Sequence, residues 1–286
     1  MRIGGILTAM VTPFDAQGRV NEDGAVRMMH HLLENGSDGV VVAGTTGEGA
    51  TLTDEEKLRL FDLAVSECGD AMVVAGTGSN DTAHSVHLTA KATEIGVDAV
   101  LAVTPYYNKP NRRGLIAHFE EIGAATDRPL ILYNIPSRSV VDMPNDLLEE
   151  IGDRVPNAVA VKQARMTDIE PIPGLELLAG NDDTLAEVLD KGGSGGICVS
   201  SHVVGNEMRR MIDEPEERHA IEREIADVID TLMTLTTSPI PLKAALDMLG
   251  HDVGGLRLPL VEAHAAQTAT LQAALELAGI LPVAAG

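Results

Sequence analysis

The sequence repeats one pattern eight times: a short apolar segment rich in β-branched residues, followed by a more polar segment. The apolar segments, interpreted as strands, cover residues 3–12, 39–44, 72–78, 99–105, 129–136, 158–163, 175–180 and 195–201. Strands that are apolar along nearly their whole length are typical of a parallel sheet that is covered by helices. The repeat therefore predicts an α/β fold, a closed (β/α)8 TIM barrel.

Most of the intervening segments have helical spacing and helix-end signals. They cover residues 24–35, 54–68, 82–95, 113–125 and 145–155. Residues 53–56 fit a capping box, and Gly36, Gly69 and Gly96 stand where helices are expected to end. Residues 164–174 form a degenerate unit, because this short segment contains two prolines. The alternative is an open doubly wound sheet, but the GxGxxG fingerprint of dinucleotide-binding sheets is absent.

After residue 201 the pattern becomes wholly helical. Helices are predicted at residues 207–212, 216–235, 241–249 and 259–278. The first of these closes the barrel. We therefore predict a catalytic barrel over residues 1–218 and a C-terminal helical appendage over residues 219–286.

Charge and cysteine content limit the possible partners and the compartment. The formal net charge is −22, which disfavours binding to nucleic acid or to an anionic membrane surface. No apolar run approaches the roughly 18 residues of a membrane helix, and Cys68 and Cys198 lie far apart, so a reducing cytoplasm is expected. His84 and His87 share a helix face but have no third ligand, so we expect neither a metal nor a cofactor.

Lys162 is the most informative candidate residue for chemistry. It follows the apolar residues 158–161 at the carboxyl end of a strand, which is the end of a TIM barrel that carries function. Burial removes hydration and disfavours the ammonium form, and a neutral amine is what Schiff-base formation with a carbonyl requires. The structural alternative is a lysine that reaches solvent or pairs with an acidic neighbour.

Three further features converge on the same end of the barrel. Tyr133 ends the preceding strand, where its phenol can transfer a proton, although a buried ring with a solvated hydroxyl is the commoner situation. Arg138 follows that strand and suits bidentate binding of a carboxylate, or is a solvated loop residue. The glycine-rich turn at residues 44–50 can present backbone N–H groups to an anion, or is simply a tight loop.

The ordered set of motifs resembles the pyruvate-dependent class I lyase family that includes dihydrodipicolinate synthase and N-acetylneuraminate lyase. The resemblance extends over nearly the whole chain. It is carried by Thr12-Pro13-Phe14, Gly44-Thr45-Thr46-Gly47-Glu48, Ala75-Gly76-Thr77-Gly78, Thr104-Pro105-Tyr106-Tyr107-Asn108, Tyr133-Asn134-Ile135-Pro136-Ser137-Arg138, Val161-Lys162 and Pro239-Ile240-Pro241-Leu242-Lys243. Each motif is weak alone, but together and in this order they are highly specific.

The resemblance implies catalytic roles for four residues. Lys162 would form the imine with pyruvate, and loss of a methyl proton would give the enamine nucleophile. Thr45, Tyr133 and Tyr107 would form the proton relay of the family, with Tyr107 supplied by a neighbouring subunit. The assembly expected from the family is a homotetramer, a dimer of dimers.

The resemblance also implies binding roles. Thr46 would hold the pyruvate carboxylate, Gly180 and Ile197 would line the pyruvate pocket, and Arg138 would bind the carboxylate of aspartate semialdehyde. The expected reaction gives 4-hydroxy-tetrahydrodipicolinate, on the route to diaminopimelate and lysine. Two alternatives remain: a sister aldolase acting on a 2-keto-3-deoxy sugar acid or N-acetylneuraminate, and a non-catalytic pyruvate-binding protein.

The sequence departs from the family pattern at several positions. Gln163 stands where Glu is frequent, Cys198 where a small hydroxyl residue is usual, and Ser238 where Asn is common. In the segment that matches the effector pocket of lysine-sensitive members, His84 replaces an acidic residue, while Asp54 and Lys57 replace histidines. We therefore predict weak or absent inhibition by lysine, because its ammonium group loses an anionic partner and meets a like charge.

Overall fold

The computed structural model describes residues 3–282, and its eight strands form a closed parallel barrel in chain order. Residues 1–2 and 283–286, at the outer ends of the two predicted regions, lie outside the described residues. The strands are β1 (Gly5–Ala9), β2 (Gly39–Val42), β3 (Met72–Gly76), β4 (Ala99–Val103), β5 (Leu130–Asn134), β6 (Ala158–Gln163), β7 (Glu176–Ala179) and β8 (Gly195–Cys198). Each pairs with the next, and β8 pairs with β1. The predicted TIM barrel is confirmed.

Eleven helices surround and follow the strands of the described chain. They are α1 (Glu22–Glu34), α2 (Asp54–Glu67), α3 (Thr82–Ile95), α4 (Arg112–Ala124), α5 (Pro136–Ser139), α6 (Asn145–Arg154), α7 (Leu185–Asp190), α8 (Ser201–Asp213), α9 (Arg218–Thr234), α10 (Ile240–Met248) and α11 (Ala265–Leu277). The capping box before α2 forms as predicted: Thr53 Oγ1 accepts the Glu56 N–H at 3.2 Å, and the Glu56 carboxylate accepts the Thr53 N–H at 2.9 Å.

The predicted strands are mostly too long, whereas β6 has the predicted bounds. Strands β3, β4 and β7 end where a threonine or a glycine begins, at Thr77, Thr104 and Gly180. Strands β1, β2, β5 and β8 end although the next residue is apolar, so hydrophobicity alone does not mark their ends. No helix separates β6 from β7 in the described chain, as the prolines at 171 and 173 predict. Three short elements are absent from the predicted segments: α5, a 3-10 turn at Asp182–Thr184, and α7.

The C-terminal helices are confirmed, with two differences in their starts. Helix α8 begins at Ser201 instead of residue 207, and a kink at Val204 interrupts its spacing. Helix α11 begins at Ala265 instead of residue 259, because His264 accepts the Gln267 N–H as the N-cap. Histidine is not among the usual capping residues, so residue 264 does not mark a helix start in the sequence.

The C-terminal helices pack against each other and against the barrel. Helix α9 contacts α8 and α7, and α11 contacts α9 and α10. The core is almost wholly aliphatic, as expected from a sequence with three phenylalanines and no tryptophan. Within residues 3–282, no helix is both long enough and apolar enough to cross a membrane.

Candidate active site

A cavity of about 600 Å³ opens at the carboxyl ends of the strands. Three of the predicted site residues, Thr45, Tyr133 and Arg138, line it. Lys162, Thr46, Gly180 and Ile197 are buried and are not part of its lining. The cavity reaches Tyr133, whose ring contacts the Lys162 amine, but the lysine itself lies beneath its lining.

Lys162 is near the end of β6 and its side chain is almost completely buried, with 5% of the residue exposed. Its register partner on β5 is Tyr133, and the two lie side by side on the same face of the sheet. The Lys162 Nζ is 4.3 Å from the centroid of the Tyr133 ring. Within residues 3–282 no carboxylate comes within ion-pair distance of this amine. The amine is thus neither solvated nor ion-paired, as the structural alternative would require.

Asp182, a buried residue just beyond β7, is a carboxylate of the site that is not among the predicted site residues. Asp182 accepts the backbone N–H groups of Val199 and Ser200. Burial raises the pKa of Asp182, while these hydrogen bonds and the positive charge of Lys162 act in the opposite direction. Its position after a strand end was visible in the sequence, but nothing there indicated that it would be fully buried.

Cys198, which replaces a small hydroxyl residue of the family pattern, lies in the same interior layer. Its residue is fully buried in β8. Burial and the negative charge of Asp182 raise the pKa of the Cys198 thiol well above its usual value, and the Lys162 charge opposes them. The group is therefore a neutral thiol, a compact and weakly polar neighbour that adds no charge beside the amine.

The turn after β2 is closed by its own backbone. The Gly49 N–H donates to the Gly44 carbonyl at 3.0 Å, and the Glu48 N–H donates to the Thr45 carbonyl at 3.1 Å. A Cβ atom at position 49 would lie 2.2 Å from the Ala43 oxygen, so only glycine fits there. Within this turn Thr45 is exposed and Thr46 is buried, so the two adjacent threonines have different surroundings.

The remaining predicted binding residues surround the site at different depths. Arg138 is exposed at the end of α5 and donates to the Ser238 carbonyl at 3.4 Å. Gly180 donates its N–H to the Gln163 carbonyl at 2.8 Å, and a Cβ there would lie 2.7 Å from that carbonyl group. Ile197 is fully buried in β8 beside Leu7 of β1.

Tyr107 is the predicted residue that the single chain does not bring to the site. It is 87% exposed, its φ is +73°, and it does not line the cavity, although its neighbour Tyr106 does. One chain therefore brings Lys162 and Tyr133 into contact and places Thr45 on the same cavity, but it leaves Tyr107 projecting into solvent.

A second part of the cavity contains the segment compared above with an effector pocket. His84 Nε2 lies 2.8 Å from an Asp54 carboxylate oxygen, and Lys57 lines the same space. The hydrogen bond from His84 lowers the pKa of Asp54. The Asp54 carboxylate is thus already occupied by a neighbouring imidazole. No group of three or more His, Cys, Asp or Glu side chains suited to a metal occurs among the described residues.

The fold and the site define a class: a TIM barrel that holds a buried lysine amine against a tyrosine ring at the carboxyl end of its strands, with that tyrosine lining a cavity. The sequence matches the model of the dihydrodipicolinate synthetase family over residues 2–278. The chain therefore belongs to the dihydrodipicolinate synthetase family.

Individual relatives agree with this assignment over nearly their whole length. The chain is 43% identical to 4-hydroxy-tetrahydrodipicolinate synthase 2 of Halalkalibacterium halodurans, with 96% of this chain and 98% of the relative covered. The crystal structure of the dihydrodipicolinate synthase of Cyanidioschyzon merolae with lysine bound has a TM-score of 0.93 and 39% identity, covering 97% and 99% of the two chains. For the Aquifex aeolicus dihydrodipicolinate synthase the TM-score is 0.93 and the identity is 34%, with 97% and 99% covered.

Proposed function

We propose that the protein catalyses the reaction of a 4-hydroxy-tetrahydrodipicolinate synthase, the condensation of pyruvate with L-aspartate 4-semialdehyde. The observation that carries this proposal is the amine of Lys162, which is 5% exposed, has no ion-pair partner among residues 3–282 and lies 4.3 Å from the Tyr133 ring. Relatives at 41–43% identity that have this name support the choice of reaction.

The proposed chemistry begins with attack of the nitrogen lone pair of Lys162 on the keto carbon of pyruvate. The carbinolamine loses water to give an imine, and loss of a proton from the pyruvate methyl group gives the enamine. The enamine carbon attacks the aldehyde, whose oxygen takes up a proton. The amino group of the second substrate then displaces Lys162 as the product cyclises. Thr45, Tyr133 and Tyr107 carry the protons in this scheme.

Binding of the two substrates is assigned to different residues. Thr46, in the turn after β2, holds the pyruvate carboxylate, and Gly180 and Ile197 shape the floor of the pocket. Arg138 binds the carboxylate of the semialdehyde, since its guanidinium is exposed at the cavity and suits a planar carboxylate. The absence of a side chain at Gly180 keeps the strand ends close together at this point.

The proposed assembly is a homotetramer, a dimer of dimers in which Tyr107 enters the site of a neighbouring subunit. The 87% exposure of Tyr107 in one chain supports this. A mixing experiment tests it. Lys162→Ala and Tyr107→Phe subunits, each nearly inactive alone, should regain about a quarter of wild-type activity when dissociated and reassembled, since half the dimers are mixed and each contains one intact site. If Tyr107 acted within its own chain, mixed dimers would contain no intact site.

Of the two other functions, neither gains support from a specific observation. A sugar-acid or N-acetylneuraminate aldolase does not require an arginine for a second carboxylate, and comparison of turnover on the two substrate classes decides between them. A non-catalytic pyruvate-binding protein predicts a solvated or ion-paired Lys162, unlike the environment described above.

Borohydride reduction in the presence of pyruvate, followed by peptide mass mapping, tests the central proposal. We expect a pyruvyl adduct on Lys162 that disappears in Lys162→Ala. Lys57→Met is the matched control, because Lys57 lines the same cavity and its replacement should leave the adduct unchanged. An adduct on another lysine, or none, would refute the proposal.

A cytoplasmic location is proposed as well. It is supported by the two buried cysteines, Cys68 and Cys198, both of which are free.

A further inference from the structure

A buried ion pair connects the turn that contains Thr45 and Thr46 to the C-terminal helices. Lys243 Nζ, on α10, lies 2.7 Å from Glu48 Oε1, and the two side chains are 3% and 1% exposed. Glu48 comes two residues after Thr46 and has a left-handed backbone, with φ of +54°. Its N–H donates to the Thr45 carbonyl. A displacement of Glu48 would therefore act on Thr45 through this hydrogen bond and on Thr46 through the backbone of Gly47, which lies between Thr46 and Glu48.

Further contacts hold both partners in place. The other carboxylate oxygen of Glu48 accepts the Arg257 N–H at 2.9 Å, and Lys243 Nζ donates to the Gly255 carbonyl at 2.7 Å. The Lys243 amine also lies 4.2 Å from the centroid of the Phe14 ring. The contacts of Arg257 with Glu48 and of Lys243 with Phe14 join a segment at the barrel mouth to the chain that follows α9, whereas the contact with Gly255 lies within that chain.

Arg257 extends this connection to the start of α2. Its guanidinium donates to the Thr51 carbonyl at 3.0 Å and forms an ion pair with Glu56 at 2.6 Å. Glu56 is the capping-box residue of α2. The segment between β2 and α2 is thus held at two points, Glu48 and Thr51, by residues that lie more than 190 positions later in the sequence.

Stability alone is a weak reason for such a pair. Burial lowers the pKa of Lys243 against the opposing effect of the Glu48 carboxylate, so the protein loses hydration energy to keep this amine buried. Buried ion pairs can often be replaced by apolar residues with no loss of stability, whereas their directional contacts fix one geometry. The pair is therefore better explained by what it holds in position.

We propose that Glu48 and Lys243 are positioning residues that set the Thr45–Thr46 turn for binding of the pyruvate carboxylate. This inference rests on the proposed function. Neither residue touches the substrate in this scheme. They act through the backbone of the turn, so their loss should weaken pyruvate binding and leave the Lys162 amine itself competent.

The test measures borohydride trapping of pyruvate on Lys162 across a range of pyruvate concentrations. In Lys243→Met we expect the half-saturating pyruvate concentration to rise about tenfold or more, with full labelling at saturation. Removing one partner leaves a buried charge unpaired and endangers folding. The double variant Glu48→Gln/Lys243→Met, which leaves neither charge, should show the same shift.

Leu246→Ala is the matched control. Leu246 is fully buried on the same helix as Lys243, so the cavity destabilises α10 but leaves the ion pair in place. It should keep the wild-type half-saturating concentration. An unchanged concentration in the folded double variant, or an equal shift in Leu246→Ala, would overturn the inference. If wild-type Lys162 acquired no adduct at any concentration, the proposed function itself would fail, which is a different result.

Discussion

The substitution Tyr133→Phe removes one oxygen atom. It separates the packing of the Tyr133 ring against Lys162 from the proton transfer that the proposed mechanism assigns to the hydroxyl. The ring is 6% exposed and contacts the Lys162 amine at 4.3 Å, and phenylalanine keeps that ring. Within residues 3–282, the phenol oxygen has no hydrogen-bond partner. The substitution therefore leaves no partner unsatisfied, and we expect the free energy of unfolding to change by less than about 1 kcal/mol.

Catalysis should be affected far more than stability. A positioned acid–base group contributes about 10²-fold or more to the rate, and 10²-fold corresponds to about 2.7 kcal/mol of activation free energy. We therefore expect turnover to fall about 10²-fold or more, while borohydride still traps pyruvate on Lys162 after long incubation, because the amine and its surroundings remain.

Turnover is measured with saturating pyruvate and aspartate semialdehyde, and stability is measured by denaturant unfolding. Tyr106→Phe is the control, since Tyr106 also lines the cavity but has no role in the proposed relay. It should keep wild-type turnover. If folded Tyr133→Phe retained a third or more of the wild-type rate, the Tyr133 hydroxyl would not transfer a proton in a rate-determining step. Its assigned role in the proton relay would then be wrong.

Three further outcomes are expected. Arg138→Ala should raise the KM for aspartate semialdehyde far more than the KM for pyruvate, and equal effects in steady-state kinetics would contradict its role. L-lysine should inhibit weakly or not at all, because His84 already occupies the Asp54 carboxylate and Lys57 lies nearby; half-inhibition at sub-millimolar lysine would contradict this. Burial lowers the pKa of His118 and of His202 to about 4, from 6.5, so between these values the unfolded chain binds protons that the folded chain excludes. The contribution of each of these two histidines to the free energy of unfolding should thus be constant above pH 6.5 and fall by about 3 kcal/mol towards pH 4; an unchanged pH dependence in His118→Gln, measured by denaturant unfolding, would refute the assignment to His118.

The sequence was sufficient for the barrel because its signals are local. Each strand is an apolar run, and α2 has a capping box that involves only residues 53–56. Helix α11 was misplaced because His264 acts as its cap, and a histidine can do so only when its ring is oriented by the folded chain. The kink at Val204 likewise has no local signal.

The candidate site also contains contacts that the sequence predicts and contacts that it does not. Lys162 and Tyr133 lie near the ends of neighbouring strands, so their contact follows from parallel pairing of consecutive strands. The Glu48–Lys243 pair joins residues 195 positions apart, and the burial of Asp182 depends on N–H groups that come from the next strand end. No spacing rule predicts such pairs, since they depend on how the last helices pack over the barrel mouth.

The contrast between two glycines at the strand ends and Arg138 on α5 shows which residues can be changed to alter the aldehyde that this barrel accepts. Gly49 and Gly180 tolerate no side chain, because a single added carbon would collide with neighbouring main chain. Arg138 is exposed and has only a 3.4 Å hydrogen bond to Ser238. Variants at Arg138 and Ser238 can therefore bind other aldehydes while the Lys162 nucleophile stays unchanged. Variants at the two glycines would mainly misfold.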